Sequence, residues 1–184
     1  TLNAKAAIDA TMEVMRRTGR DLPIMLSITV SDLAGRTLSG QTLDAVLASV
    51  SSYPIFSIGL NCSFGADQMK PFIKELAHHA PYYISAYPNA GLPNSLGGYD
   101  ETPETMAPQI GEYIDEGLVN IIGGCCGTTE NFIAKYAEIA EGKTPHQPQE
   151  KPRTMWLSGL ELLDVTPDVR FVNVGERCNV AGSR

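Results

Sequence analysis

The run Asn120-Ile121-Ile122-Gly123-Gly124-Cys125-Cys126-Gly127-Thr128-Thr129 reads as a short buried strand that ends in a glycine-flanked turn carrying two adjacent cysteines. A second run, Ile58-Gly59-Leu60-Asn61-Cys62, has the same form, apolar and closed by a cysteine. Short apolar runs bounded by turn residues suit strands covered on both faces, as in parallel sheets. In parallel α/β folds the carboxyl ends of the strands share one rim, where functional residues gather. The two runs therefore predict three thiols at one edge of one sheet.

The rest of the chain supplies the alternation such a sheet needs. A helical pattern (Ala4, Ala7, Ile8, Met12, Met15) ends near Gly19, and Pro23 introduces the apolar run 24–30. Helices are expected near 42–50, 66–80, 103–116 and 128–141, with strands near 55–61, 82–87 and 118–123. The strands recur roughly every 30 residues, the pace of a (β/α)8 barrel of about 250 residues. Four such units predict an α/β chain forming half of a (β/α)8 TIM barrel over residues 1–142. A small doubly wound sheet is the alternative on pattern alone.

The texture changes after Gly142. Pro145, Pro148 and Pro152 fall in a stretch without apolar period, which reads as extended linker, and residues 143–170 are assigned to it. Met155-Trp156-Leu157-Ser158-Gly159-Leu160 is a short apolar segment within it. Residues 171–175 read as the first strand of a second domain occupying 171–184. Four strands would leave two open edges and an uncovered inner face, so the fragment is expected either to pair with a second copy or to be the ordered part of a longer protein.

Composition narrows the class. The 184 residues are 43% hydrophobic and 19% charged, with a formal net charge of −7. That balance, without a clustered Lys/Arg stretch, argues against nucleic acid and anionic membranes as partners. No apolar run is long enough to span a bilayer, and a cytoplasmic enzyme is expected. Four cysteines in such a chain suggest metal or catalytic thiols rather than a disulfide framework.

Three thiolates with one exchangeable position suit Zn2+, which takes soft ligands in a tetrahedron and keeps an open place when catalytic. Cys62, Cys125 and Cys126 are the candidate ligands, and Gly123, Gly124 and Gly127 permit the turn that lets a vicinal pair reach one ion. Buried inert cysteines, or a disulfide between Cys125 and Cys126, are the alternatives. Asn89, after Tyr87-Pro88, is presented at the same rim. Cys178 lies outside the constellation. His78 and His79 read as surface residues at a helix end, and His146 as part of the linker.

Gly59-Leu60-Asn61-Cys62, Pro88-Asn89-Ala90-Gly91-Leu92-Pro93-Asn94 and Gly123-Gly124-Cys125-Cys126-Gly127-Thr128-Thr129 together resemble the C-terminal half of the homocysteine-binding barrel, a (β/α)8 TIM barrel, of the zinc-dependent homocysteine S-methyltransferases. The tail, Leu157-Ser158-Gly159-Leu160-Glu161 and residues 171–184, resembles the junction into the pterin-binding barrel of the cobalamin-dependent methionine synthases. Betaine and S-methylmethionine homocysteine methyltransferases share the three-cysteine barrel but are not expected to continue into a folate domain. The resemblance implies a methyltransferase of methionine biosynthesis, in which homocysteine sulfur takes the fourth place on Zn2+ and methylcobalamin, on a domain absent from this chain, is the immediate donor. It further implies 5-methyltetrahydrofolate as methyl source through the adjoining domain, Asn89 as ligand when substrate is absent, and Glu176 and Asn179 as pterin contacts. The missing half barrel leaves room for a different class, a zinc-binding scaffold without activity of its own.

Overall fold

The structure, a computed structural model, describes residues 1–169, 171–173 and 175. It is a mixed α/β chain. Helix α1 (Leu2–Thr18) is followed by strand β1 (Ile24–Ile28), helix α2 (Leu43–Val50), strand β2 (Ile55–Asn61), helix α3 (Ala66–His79) and strand β3 (Tyr83–Tyr87). Helix α4 (Pro103–Asp115), strand β4 (Ile121–Ile122), helix α5 (Glu130–Ala140) and the strands β5 (Met155–Ser158) and β6 (Leu162–Val165) complete it.

Local chemistry accounts for the helix ends. Gly19 stops α1 in the left-handed conformation at φ 67°, which costs glycine nothing. The Thr42 side chain accepts the Ala45 N–H at the start of α2, and Thr102 with Thr105 forms a reciprocal capping box ahead of Pro103 in α4.

Strands β1 to β4 form one sheet in sequential order with every pairing parallel. A doubly wound sheet requires the order to reverse at a switch point; this one has none, and it fits a partial TIM-barrel-like fragment. Ile28, Ile58, Leu60, Ile84 and Ala86 are buried in the core with Leu47, Met69, Ile73, Leu76 and Ile110 of the helices. The opposite, inner face carries Met25, Ser27, Ser57, Gly59, Asn61, Tyr83, Ser85 and Tyr87, the register setting Gly59 beside Ser27 and Ser85, and Asn61 beside Tyr87. One extra residue in β2 shifts the register between Ile24↔Ile55 and Met25↔Ser57. Phe56, at that shift, meets Tyr83 with ring centroids 5.0 Å apart. Met25, Phe56 and Tyr83 remain 49%, 43% and 41% exposed, so the amino-terminal half of the inner face is apolar and open.

Two elements are shorter than expected. β1 stops at Ile28, and Val30 pairs only as an isolated bridge with Thr37. β4 is reduced to Ile121–Ile122 because the Asn120 side chain accepts the Ile84 N–H at 2.8 Å, replacing a ladder bond.

The stretch after Gly142 is tied down rather than free. His146 N–H reaches Val119 O and Gln149 N–H reaches Ala80 O, at 3.1 Å each. His146 is only 6% exposed, its Nδ1 bonded to Gly117 O at 2.9 Å. β5 and β6 then pair as an antiparallel hairpin. The Ser158 hydroxyl donates to Ala45 O at 2.6 Å, Thr42 N–H to Leu160 O at 3.0 Å, and Arg36 pairs with Glu161. The hairpin thus packs on α2, a helix apolar nearly all round and therefore in need of cover on a second side. Phe171, Val172, Asn173 and Gly175 stand in no regular element; Val174 of the expected final strand, and Glu176, Cys178 and Asn179 after it, lie outside the described residues.

Gly59 marks where β2 and β3 approach most closely, since an added Cβ would stand 1.8 Å from Ser85 O. Backbone cannot yield as a flexible side chain can, so Gly59→Ala is expected to destabilise the chain by about 3 kcal/mol, read as a lowered urea midpoint at unchanged m-value.

Candidate metal centre

Each thiol is placed by main-chain hydrogen bonds at the carboxyl rim of the sheet. Cys62 follows β2 directly, and its N–H donates to Tyr87 O at 3.0 Å. Cys62 and Ser63 both lie in the left-handed region, at φ 61° and 63°, a costly conformation for residues with a Cβ. The Ser63 hydroxyl, donating to Val30 O at 2.6 Å, helps to hold that turn against the segment that follows β1. Cys125 N–H donates to Pro88 O at 2.8 Å, and Cys126 N–H to Asn89 Oδ1 at 3.2 Å. Cys126 O in turn accepts the Ala90 N–H at 2.8 Å. Asn89 is buried, 4% exposed, and stands at the rim as expected, with its carbonyl oxygen orienting Cys126.

The glycines of the vicinal turn serve two different needs. Gly127, at φ +82°, makes the turn itself, and a Cβ there would also meet the Tyr99 ring at 2.6 Å. Gly123 and Gly124 have ordinary φ but no space: a Cβ would lie 2.7 Å from Tyr87 Cδ1 and 2.1 Å from Thr128 Oγ1. Tyr99 closes the loop after β3 through a bridge to Pro93, and its hydroxyl approaches the Cys126 sulfur. No pattern in the sequence distinguishes that tyrosine from the others.

The sulfurs of Cys62, Cys125 and Cys126 all lie within 4.8 Å of one another. Cys62 Sγ is 3.8 Å and Cys125 Sγ 3.9 Å from Cys126 Sγ. A disulfide needs about 2.05 Å, and all three thiols are free. Sulfurs bound tetrahedrally at about 2.3 Å from one Zn2+ stand about 3.8 Å apart. Both separations match that edge, so the three residues fit such an ion with a fourth position left over.

The thiols differ in acidity. Burial, together with hydrogen bonding to Cys62 and Cys126, pushes Cys125 up to about 11. Cys126 is held below the usual thiol value by hydrogen bonds from Tyr99, Cys62 and Cys125. Tyr99 is raised in turn, chiefly by its hydrogen bond to Cys126. His79 bonds Asp44 at 2.7 Å, far from this rim in the chain's topology, and neither it nor His78 nor His146 joins the cluster.

A cluster of three free thiols that could hold a metal ion stands at the carboxyl rim of a parallel α/β sheet. A family model described as homocysteine S-methyltransferase matches residues 1–140. The chain belongs to the homocysteine S-methyltransferase family, whose chemistry is methyl transfer to homocysteine. Among the described residues no helix is long and apolar enough to cross a membrane.

Thiolate is the nucleophilic form and exists above the thiol's pKa. In the metal-free chain, limiting iodoacetamide near pH 8 is therefore expected to label Cys126 ahead of Cys125, whose labelling should accelerate only as pH approaches about 11. Peptide mapping by mass spectrometry across that pH range checks the order.

Proposed function

We propose that Cys62, Cys125 and Cys126 hold one Zn2+ and that the chain is part of an enzyme transferring a methyl group to homocysteine to give methionine. The observation that carries this reading is the gathering of three sulfurs within 4.8 Å of one another, two of the separations at the tetrahedral edge, in a chain of this family. Bound Zn2+ would act as a Lewis acid that keeps homocysteine sulfur as the thiolate, the form that attacks a methyl group.

The residues of the chain do the rest. Cys126 is aimed by Asn89 and Ala90, and Cys62 by the strained turn that Ser63 secures. Asn89 Oδ1 spends one lone pair on the Cys126 N–H; the second is available for the open metal position when substrate is absent. The tail supports methylcobalamin as immediate donor and 5-methyltetrahydrofolate as methyl source, with residues 1–142 as the homocysteine domain, 143–170 as the interdomain segment and 171–184 as the start of the pterin domain. Glu176 and Asn179 are the proposed pterin contacts, by the resemblance of the segment that carries them.

A second reading, a zinc-binding module without turnover of its own, is favoured by the open inner face around Met25, Phe56 and Tyr83. The same face suits a homo-oligomer of this fragment or further chain that completes the barrel. Elemental analysis is expected to find about one zinc per chain and to find it lost in Cys126→Ser, with a sulfur-rich charge-transfer band after cobalt replacement. A folded chain that takes up no metal would overturn the zinc reading. Homocysteine methylation assayed with methylcobalamin, betaine and S-methylmethionine as alternative donors distinguishes the enzyme classes, and zinc uptake without turnover from any donor identifies the scaffold.

A further inference from the structure

The segment after Gly142 builds a cleft that the thiol chemistry does not use. Helix α3 begins just after Cys62 and its turn, and the cleft lies at the far end of that helix, about 20 Å along its axis. Half-buried Asp44 of α2 and Trp156, Leu162 and Asp164 of the hairpin form the floor, with His79, Glu150 and Pro152 among the rim residues. The space is about 480 Å3, a volume suited to a small molecule.

Two polar atoms in this floor have no partner. Trp156 and Asp164 are directly opposite in the antiparallel register, so both side chains stand on the face of the hairpin from which Ser158 reaches Ala45 O. The Trp156 Nε1–H and Asp164 Oδ1 are shielded from solvent, and neither makes a hydrogen bond among the described residues. An unpaired donor and an unpaired carboxylate oxygen are costly to bury, and a ligand that meets both removes the cost. The charge around them is of one sign. No lysine or arginine lines the cleft. His79 bonds Asp44 at 2.7 Å and so engages that carboxylate, whereas Glu150 and Asp164 enter no ion pair among the described residues. The carboxyl end of α3 adds its partial negative charge. Burial, and then the Asp44 carboxylate, hold Glu75 of the same helix above the usual carboxylate range.

We propose that this cleft binds a small organic cation carrying an oxygen acceptor a short carbon link away from its charge, the chemistry of an amino alcohol. The ammonium group meets Asp164 Oδ1 with Glu150 at the rim, the oxygen accepts the Trp156 Nε1–H, and the carbon link lies against Pro152 and Leu162. Side chains directly opposite on paired strands have Cβ atoms about 5 Å apart, which sets the short link. The site is separate from the cysteine cluster and independent of the methyltransferase reading.

Trp156 is the single tryptophan of the chain, so its fluorescence reports occupancy, with calorimetry as a second readout. The probes are ethanolamine, ethylamine, ethylene glycol and glycolate at constant ionic strength. Ethanolamine is expected to bind with a Kd on the order of millimolar, equally with and without zinc. Ethylamine, lacking the acceptor, should bind about tenfold more weakly, and the neutral diol and the anion should not compete. Asp164→Asn keeps the shape and removes the charge, and it is expected to weaken ethanolamine by about tenfold or more at unchanged zinc content. Glu150→Gln, at an exposed position, should give a smaller loss and serves if the Asp164 variant does not fold. No response to ethanolamine up to about 0.1 M overturns the site. Glycolate binding as well as ethanolamine, or ethanolamine binding unchanged in both variants, overturns the cation assignment; ethylamine binding as tightly as ethanolamine overturns the role of the indole N–H.

Discussion

Main-chain hydrogen bonds between the loops at the carboxyl rim set the spacing of Cys62, Cys125 and Cys126, and most of the site depends on them. Cys62 hangs from Tyr87 O, Cys125 from Pro88 O, and Cys126 from Asn89, while Ala90 returns a bond to Cys126 O. All of these partners lie in or just after β3, which sits between β2 and β4 in the sheet. The middle strand therefore works as a common reference for thiols that are more than sixty positions apart in sequence. The sheet register, through this lattice, fixes the geometry before any ligand is considered, which is the condition for a preorganised site.

That preorganisation has an electrostatic cost which a cation relieves. Three sulfurs this close cannot all be thiolates without strong mutual repulsion, and burial already pushes Cys125 up to about 11. Cys126, supported by Tyr99 and its neighbours, carries negative charge more readily than Cys125. A divalent ion would reverse the balance for the set, because each thiolate then faces a positive charge closer than its neighbouring sulfur. The same reasoning explains why the rim tolerates two consecutive left-handed residues at Cys62 and Ser63: the strain is local, and the hydrogen bonds from the flanking strands over-determine the turn.

Much of this was legible in the sequence because it is written in short-range patterns. The alternation of apolar runs and amphipathic segments placed the four parallel strands and five helices, β2 and α2 nearly to the residue, and the cysteines at strand ends placed the cluster. Three things escaped. The hairpin of β5 and β6 fell inside a stretch read as linker, since Pro145, Pro148 and Pro152 dominated the local signal; the clue lay a hundred residues away, in a helix α2 too apolar to have a solvent face. His146 looked like a linker residue and is buried, because its partners Gly117 and Val119 come from another segment. The glycines of the vicinal turn were read as conformational freedom, whereas Gly123 and Gly124 are required by the bulk of Tyr87 and Thr128, a three-dimensional fact without a sequence period.

The hairpin on α2 also bears on how the chain is made. Ser158 is bonded to Ala45 and Leu160 to Thr42 across 113 and 118 positions. At a synthesis rate of roughly 5–20 residues per second, the outer side of α2 waits on the order of ten seconds for its cover to leave the ribosome. Through that interval Val46, Val50 and their neighbours form an apolar surface that an emerging chain must shield by other means. The nascent polypeptide is therefore a natural client for chaperones that bind exposed aliphatic stretches, and the hairpin, not the cysteine rim, closes the outer side of α2.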